Sequence, residues 1–235
     1  MIAEHPVTDS RWFARNFVRP GQWMHMRLSL ASAGNLEWFV QRLCQTEYEF
    51  ATSSGEDPFA FVEHEVFAVA EDPAEVLFLP FLYGSPHGAA ASGTFLGIRG
   101  WHDRGHLLRA VLKGVVFNHR THIDALRDEF EVSEGRLTGG AVKSARWAQM
   151  FADALGITVL LTDAEESGAL GTAICAAVGT GMHDSLETAS AAFVRVTERL
   201  EPDADAKEQL DEKYGHYRKV IDALNGAWEA SGGAD

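Results

Sequence analysis

The chain is poor in the residues that would tie it to several common protein classes. Its 235 residues include two cysteines, seven prolines, and only 20 Lys plus Arg against 34 Asp plus Glu. Cys44 and Cys175 lie far apart and belong to no CxxC pair. That excludes a disulfide framework and points to two small core residues in a reducing cytoplasm. A formal net charge of −14 argues against nucleic acid or an anionic membrane as the main partner. It leaves room for a small anion held by local geometry. No apolar run reaches the length of a membrane span, and Ala169–Val178 is too short. The first twenty residues mix charge, proline and aromatics, without the apolar centre of a secretory signal. Walker A, GxGxxG, HExxH and GxSxG patterns are absent, as are internal repeats and low-complexity tracts.

What is present is a soluble globular composition, 46% hydrophobic and 23% charged, long enough for one large domain or two small ones. Residues 1–21 carry Trp12, Phe13, Phe17 and Val18 between arginines without a clean period, and read as an irregular lead-in that packs against something. Trp23–Leu30 alternates as a strand should. Ser32 is placed to cap a helix over Ala33–Gln45, with Leu36, Phe39, Val40 and Leu43 on one face. Thr46–Asp57 reads as a polar loop. A helix starting at Pro58 follows and is broken by Asp72-Pro73. Val76–Phe81 reads as a buried strand ended by proline, and Leu82–Gly93 as a loop long enough to be functional. After a short extended piece, Thr94–Ile98, Asp103 caps a long helix with Leu107, Leu108, Val111, Leu112, Val115, Val116, Ile123 and Leu126 at helical spacing.

A second half follows the same alternation. Gly135–Ser144 runs from a short strand into the pair Gly139-Gly140, and Ala145–Gly156 reads as a helix closed by glycine. Ile157–Leu161 is a strand candidate and Glu165–Ala177 a helix of small residues. His183–Ala192 is a turn with a short helix, Phe193–Leu200 a strand, and Leu210–Trp228 an amphipathic closing helix. The tail, residues 229–235, is frayed. Strands alternating with helices imply an α/β fold, with a sheet flanked by helices.

The glycine pair is the most informative chemistry. Glycines between a strand and a helix remove the Cβ atoms that hold a ligand off the backbone. The helix start adds unpaired N–H groups and a positive dipole end. That chemistry suits a nucleotide. An ordinary tight turn accounts for the same residues. The ten histidines pair up at His102/His106 and His119/His122, spacings that share a helix face. No further ligand cluster accompanies them, so they read as cap or surface histidines and no metal site is expected. Glu165-Glu166 and Asp203/Asp205 read as solvated carboxylates, Glu166 steadying the first turn of the helix it opens. No catalytic residue is assigned.

Four segments, in order, resemble one family. Gly93–Ile98 followed by His106–Leu112 resembles the second signature of the FGGY carbohydrate kinases. Leu137–Ser144 with Trp147–Asp153 looks like that family's adenine-binding loop and following helix. Glu166–Ala173 is similar to its small-residue helix, and Ser32–Phe39 to an earlier nucleotide-facing helix start. The resemblance spans roughly residues 16–228. Arg19-Pro20-Gly21 and Asn35–Trp38 lean towards the pentulose, xylulose-like, kinases.

The resemblance implies a single actin-like, ribonuclease-H-type lobe, a mixed sheet flanked by helices whose initial strands precede residue 1. It implies ATP with Mg²⁺, and phosphorylation of a sugar hydroxyl. By motif position Gly139, Gly140 and Ala141 lie along the adenosine, Ser144 offers a polar contact, and Ala33, Gly34 and Glu37 approach from the other side. The partners it implies are the nucleotide, and a sugar only together with an N-terminal lobe; a homodimer is the other assembly expected. Two positions depart from the pattern: Lys113 stands where the signature ends in an acidic residue, and Ala141 where a third glycine is common. Family members are about twice as long. Their N-terminal lobe carries most sugar contacts and the catalytic aspartate, and the second lobe's opening phosphate loop would lie just ahead of residue 1. Three readings therefore stand: the nucleotide-side lobe of a kinase, inactive alone; a non-catalytic remnant or regulator; or a protein-association domain.

Overall fold

The strongest cap signal in the sequence, Asp103, opens a 24-residue helix, α4 (Arg104–Arg127), in the computed structural model. The structure describes residues 1–29, 32–70 and 75–231. Asp103 accepts from the His106 backbone N–H while the His106 side chain reaches back to the Asp103 N–H, a reciprocal capping box. Leu108 through Asn118 are buried without a break. A helix buried on every side must be surrounded by other elements, and the chain divides accordingly. One unit is Met1–Val132 with Glu212–Asp235, the other Ser133–Asp211.

In the first unit α4 packs against α1 (Gly34–Leu43), α3 (Ala60–Ala68) and a strand, β4 (Leu77–Leu79). β4 pairs antiparallel with β5 (Thr94–Leu96), Phe78 facing Phe95. Gly114 lets β4 approach: a methyl there would meet the Phe78 carbonyl. Arg109, 9% exposed, donates to the carbonyls of Val66 and Ala70 at 3.1 and 3.0 Å, and so satisfies the end of α3. The basic residue at 113 is also explained. Lys113 and Lys213, the latter on the closing helix α8 (Ala204–Ser231), both ion-pair with Glu75.

The lead-in is more ordered than its pattern suggests. β1 (Ile2–Ala3), β2 (Phe13–Asn16) and β3 (Trp23–Met26) form an antiparallel sheet in the order β1-β3-β2. His25 is its anchor, 1% exposed, accepting at Nε2 from the Val7 N–H at 2.9 Å. An imidazole gathering distant backbone groups has no periodic signature. Two further differences concern the same half. Thr46–Asp57 is not a loop: α2 (Gln45–Ser54) occupies it and ends at Gly55, whose φ of 73° makes a left-handed cap. Its polar, weakly amphipathic sequence hid the helix. Ser32 does not cap α1; its hydroxyl hydrogen-bonds His119 Nε2 at 3.1 Å instead. The expected break at Asp72-Pro73, the last residue of the expected strand, Leu30, and the tail beyond Ser231 lie outside the described residues.

In the second unit β6 (Glu134–Arg136) runs parallel to β7 (Thr158–Thr162), and β8 (Val196–Leu200) pairs antiparallel on the far edge of β7. Between β6 and β7 the chain makes a single 3-10 turn, Gly140–Lys143, and then α5 (Ala145–Leu155), which packs on β7. Asp153 is 7% exposed yet accepts from Gln149 Nε2 at 2.7 Å and the Asp203 N–H at 2.9 Å, so its burial is compensated. α6 (Ser167–Gly179) and α7 (Leu186–Phe193) pack on each other.

Candidate functional site

The glycine pair lies where the sequence places it, between a strand and a helix. The Leu137 N–H donates to the Leu160 carbonyl at 3.0 Å, carrying the β6–β7 pairing one residue beyond β6. Gly139 then takes φ 86° and ψ −160°, a conformation closed to L side chains. No atom lies within 4 Å of the place its Cβ would occupy. The glycine therefore turns the chain and leaves its upper face open. Gly140 is exposed as well, whereas Ala141 is 6% exposed, its methyl turned into the unit. A methyl at 141 therefore takes up no space above the turn.

Ser144 accepts the Trp147 N–H at 3.1 Å and caps α5. Its oxygen is thus already an acceptor, and its own proton is what it can offer a nucleotide. Beneath it Trp147, Ala148, Phe151 and Ala152 are buried, and Gly156 closes the helix at φ 59°. The helix that backs the turn is capped at both ends, by Ser144 and Gly156.

The second predicted set, Ala33, Gly34 and Glu37, stands in the other unit, at the start of α1. Ala33 is the N-cap residue, and the Glu37 N–H donates to its carbonyl at 3.0 Å. Glu37 is exposed in the first turn, where a carboxylate favours the helix dipole, and accepts from Gln41 Nε2 at 3.0 Å. A Cβ on Gly34 would lie 3.6 Å from the ring of Tyr83, which is half exposed. Next to it, Asn35 is fully buried and donates from Nδ2 to the Ser32 carbonyl at 3.1 Å. Sequence reasoning missed Tyr83 and Asn35 as companions of this helix start. The length of the Leu82–Gly93 loop was the available signal for the first; the second lay inside the Ser32–Phe39 motif, which gave no sign of its burial.

Behind this helix start is a set of histidines held neutral. His119 is lowered by burial, and His122 is pushed down to about 4 by burial, with Arg27, His119 and His87 adding repulsion. Asn118 Nδ2 donates to Ser29 Oγ at 2.8 Å. These groups hold the core together and carry no ligand geometry. Among the described residues no group of three His, Cys, Asp or Glu side chains is arranged to hold a metal ion, and no helix is long and apolar enough to cross a membrane.

The Gly139 turn leaves open the space that a Cβ would fill, so a flat ligand has access to the backbone there. Comparison with known proteins gives the family. Residues 2–180 match the FGGY family of carbohydrate kinases, C-terminal domain. The chain is 36% identical over 223 residues to the L-xylulose/3-keto-L-gulonate kinase of Escherichia coli, covering 94% of this chain and 42% of that protein. It is 33% identical over 198 residues to a probable L-xylulose kinase of Haemophilus influenzae, covering 83% and 38%. The crystal structure of xylulose kinase from Rhodospirillum rubrum superposes with a TM-score of 0.79 at 25% identity, covering 97% of this chain and 45% of that one. A ligand-bound xylulose kinase from Lactobacillus acidophilus superposes at 0.81 with 19% identity. The chain spans less than half the length of these relatives. With the actin-like ATPase fold of its solved counterparts and a domain match covering most of its length, this chain belongs to the FGGY family of carbohydrate kinases.

Proposed function

We propose that this chain is the nucleotide-side lobe of an ATP-dependent carbohydrate kinase that transfers the γ-phosphoryl group to a hydroxyl of a pentulose such as xylulose. The observation that carries the reading is the Gly139 turn, open above and backed by a helix capped at both ends. Gly139, Gly140 and the Ala141 backbone would lie along the adenosine, and Ser144 would donate its hydroxyl proton to it. Ala33, Gly34 and Glu37 form the second nucleotide-facing set. Bound ATP with Mg²⁺ supplies the phosphoryl group and neutralises its charge. This chain's residues hold and orient the base end. Catalysis requires in-line positioning of the sugar hydroxyl and a base for its proton, roles we assign to no residue here. The xylulose-type relatives support the substrate class.

The test is calorimetry of the chain with Mg-ATP, followed by a coupled kinase assay on D- and L-xylulose. Binding without turnover is expected; turnover appears on adding the N-terminal lobe of a xylulose kinase relative. No binding at millimolar nucleotide would sink the reading, and turnover by the chain alone would sink the division of labour.

A second reading, as a protein-association domain, is favoured by α6. Its sequence is almost wholly small and apolar, yet Ala177 is its one buried residue. An apolar helix left that bare suits a partner surface, either a second copy of the chain or the further part of a kinase. Sedimentation of the chain alone separates the two.

A further inference from the structure

Away from the glycine turn, the first unit contains a cavity of about 480 Å³ between β4, α4 and α8. That volume is in the range of small-molecule sites. Its inner wall is aromatic: Phe78, Phe117 and Tyr217 are at most 4% exposed, and all three line it. Its polar groups are gathered on Arg99, Lys113 and Lys213, opposed by Glu75 and Glu212. Among the described lining residues the cations therefore outnumber the carboxylates, in a chain whose overall charge is −14. A local excess of the minority sign is a recognition feature and not an average of the surface.

The individual groups sharpen this. Lys113 and Lys213 hold the two oxygens of Glu75, so two ammoniums are already fixed side by side around an anionic head. Arg99 is exposed at the rim, its guanidinium 5.5 Å from the Trp101 ring centroid. No carboxylate among the described residues lies within ion-pair distance of it. The Tyr217 hydroxyl is buried and finds no hydrogen-bond partner among the described residues. Burial holds that phenol far above its usual titration range, so it remains a donor.

We propose that this cavity binds a small organic anion, a phosphate monoester or carboxylate carried on a flat apolar body. The body lies against the apolar wall of the cavity, and the head is held by Arg99 and the Lys113–Lys213 pair. The site is separate from the glycine turn, and neither reading depends on the other.

The test is calorimetry and amide chemical-shift mapping of the whole chain with phenyl phosphate, benzoate, inorganic phosphate and benzyl alcohol. Phenyl phosphate or benzoate should bind at least about tenfold more tightly than phosphate or benzyl alcohol, because only they combine head and body. Which of the two binds better identifies the head. Shifts should centre on residues 97–99, 110–117 and 212–217. Lys213→Ala and Arg99→Ala, both at partly exposed positions, should weaken binding by about threefold to tenfold with unchanged melting behaviour. Gly139→Val should leave it unchanged. No saturation at 10 mM (about the weakest affinity worth calling a site), binding by both variants as tight as by the parent chain, or competition by ATP would each overturn the proposal.

Discussion

Gly114 on α4 lies against Phe78 on β4 so closely that a methyl group on it would run into the Phe78 carbonyl oxygen. Because that neighbour is backbone within a paired strand, it cannot swing aside. Gly114→Ala should therefore cost about 2–4 kcal/mol despite its better helix propensity. Chemical denaturation checks this; an unchanged or raised midpoint would show that α4 and β4 separate easily.

Asp103 both caps α4 and receives the His106 ring at 2.7 Å. Hydrogen bonding to His106 holds its carboxyl below the usual range. Asp103→Ala should lower stability by about 1 kcal/mol, and Asp103→Ser, which keeps an acceptor, by less. Equal losses in the two variants would assign the effect to charge and not to the cap.

His122 titrates in the fold near 4, against an ordinary value of 6.5, chiefly through burial. The unfolded chain takes up a proton below 6.5 that the folded chain refuses. Stability from this group is full above that value and falls as pH drops towards 4, by at most about 1.4 kcal/mol per pH unit. His119 shifts in the same direction. His122→Gln should flatten the stability profile between pH 6.5 and 4, read by urea midpoints at half-unit steps. A slope identical to that of the parent would refute this assignment.

Lys113 and Glu75 form an ion pair in which the lysine side chain is only 10% exposed. Lys113→Glu places two carboxylates together and should cost about 3–5 kcal/mol. Adding Glu75→Lys should recover part of that loss, while Lys213 opposes full recovery. Additive losses in the double variant would mean the pair contributes nothing.

Gly139 combines a positive φ with open space where a Cβ would go. Gly139→Val strains the turn by about 1–3 kcal/mol and puts a branched side chain in the path proposed for the adenosine. The rise in melting temperature given by Mg-ATP should disappear in Gly139→Val and persist in Lys143→Ala. Loss in both variants would point to general damage to the loop.

Much of the fold was legible because it is written in local terms. α4 announced itself through the Asp103 cap and eight apolar positions at helical spacing, and α5 through Ser144 at one end and Gly156 at the other. α2 was not legible, since its helix is polar on most sides and even its Phe50 is 67% exposed. β2 was not either, because its four residues are held by pairing with β3 and not by alternation. At the candidate site the glycine turn could be located from Gly139 and Gly140. That Ala141 turns its methyl inward, and that Ser144 is already spent as a cap, could not.

By itself the sequence determined the α/β class, the major helices, the family and the position of the glycine turn, all features set by neighbours a few residues apart. Only the tertiary structure decided the partners of charges and imidazoles. Lys113 meets Glu75 across 38 residues, His25 meets Val7 across 18, and Ser32 gives its hydroxyl to His119 across 87 and not to its own helix. Local periodicity and capping act within one turn of chain. Ion pairs, buried donors and cavities belong to whichever distant segments the packed core brings together, and no spacing along the chain records them.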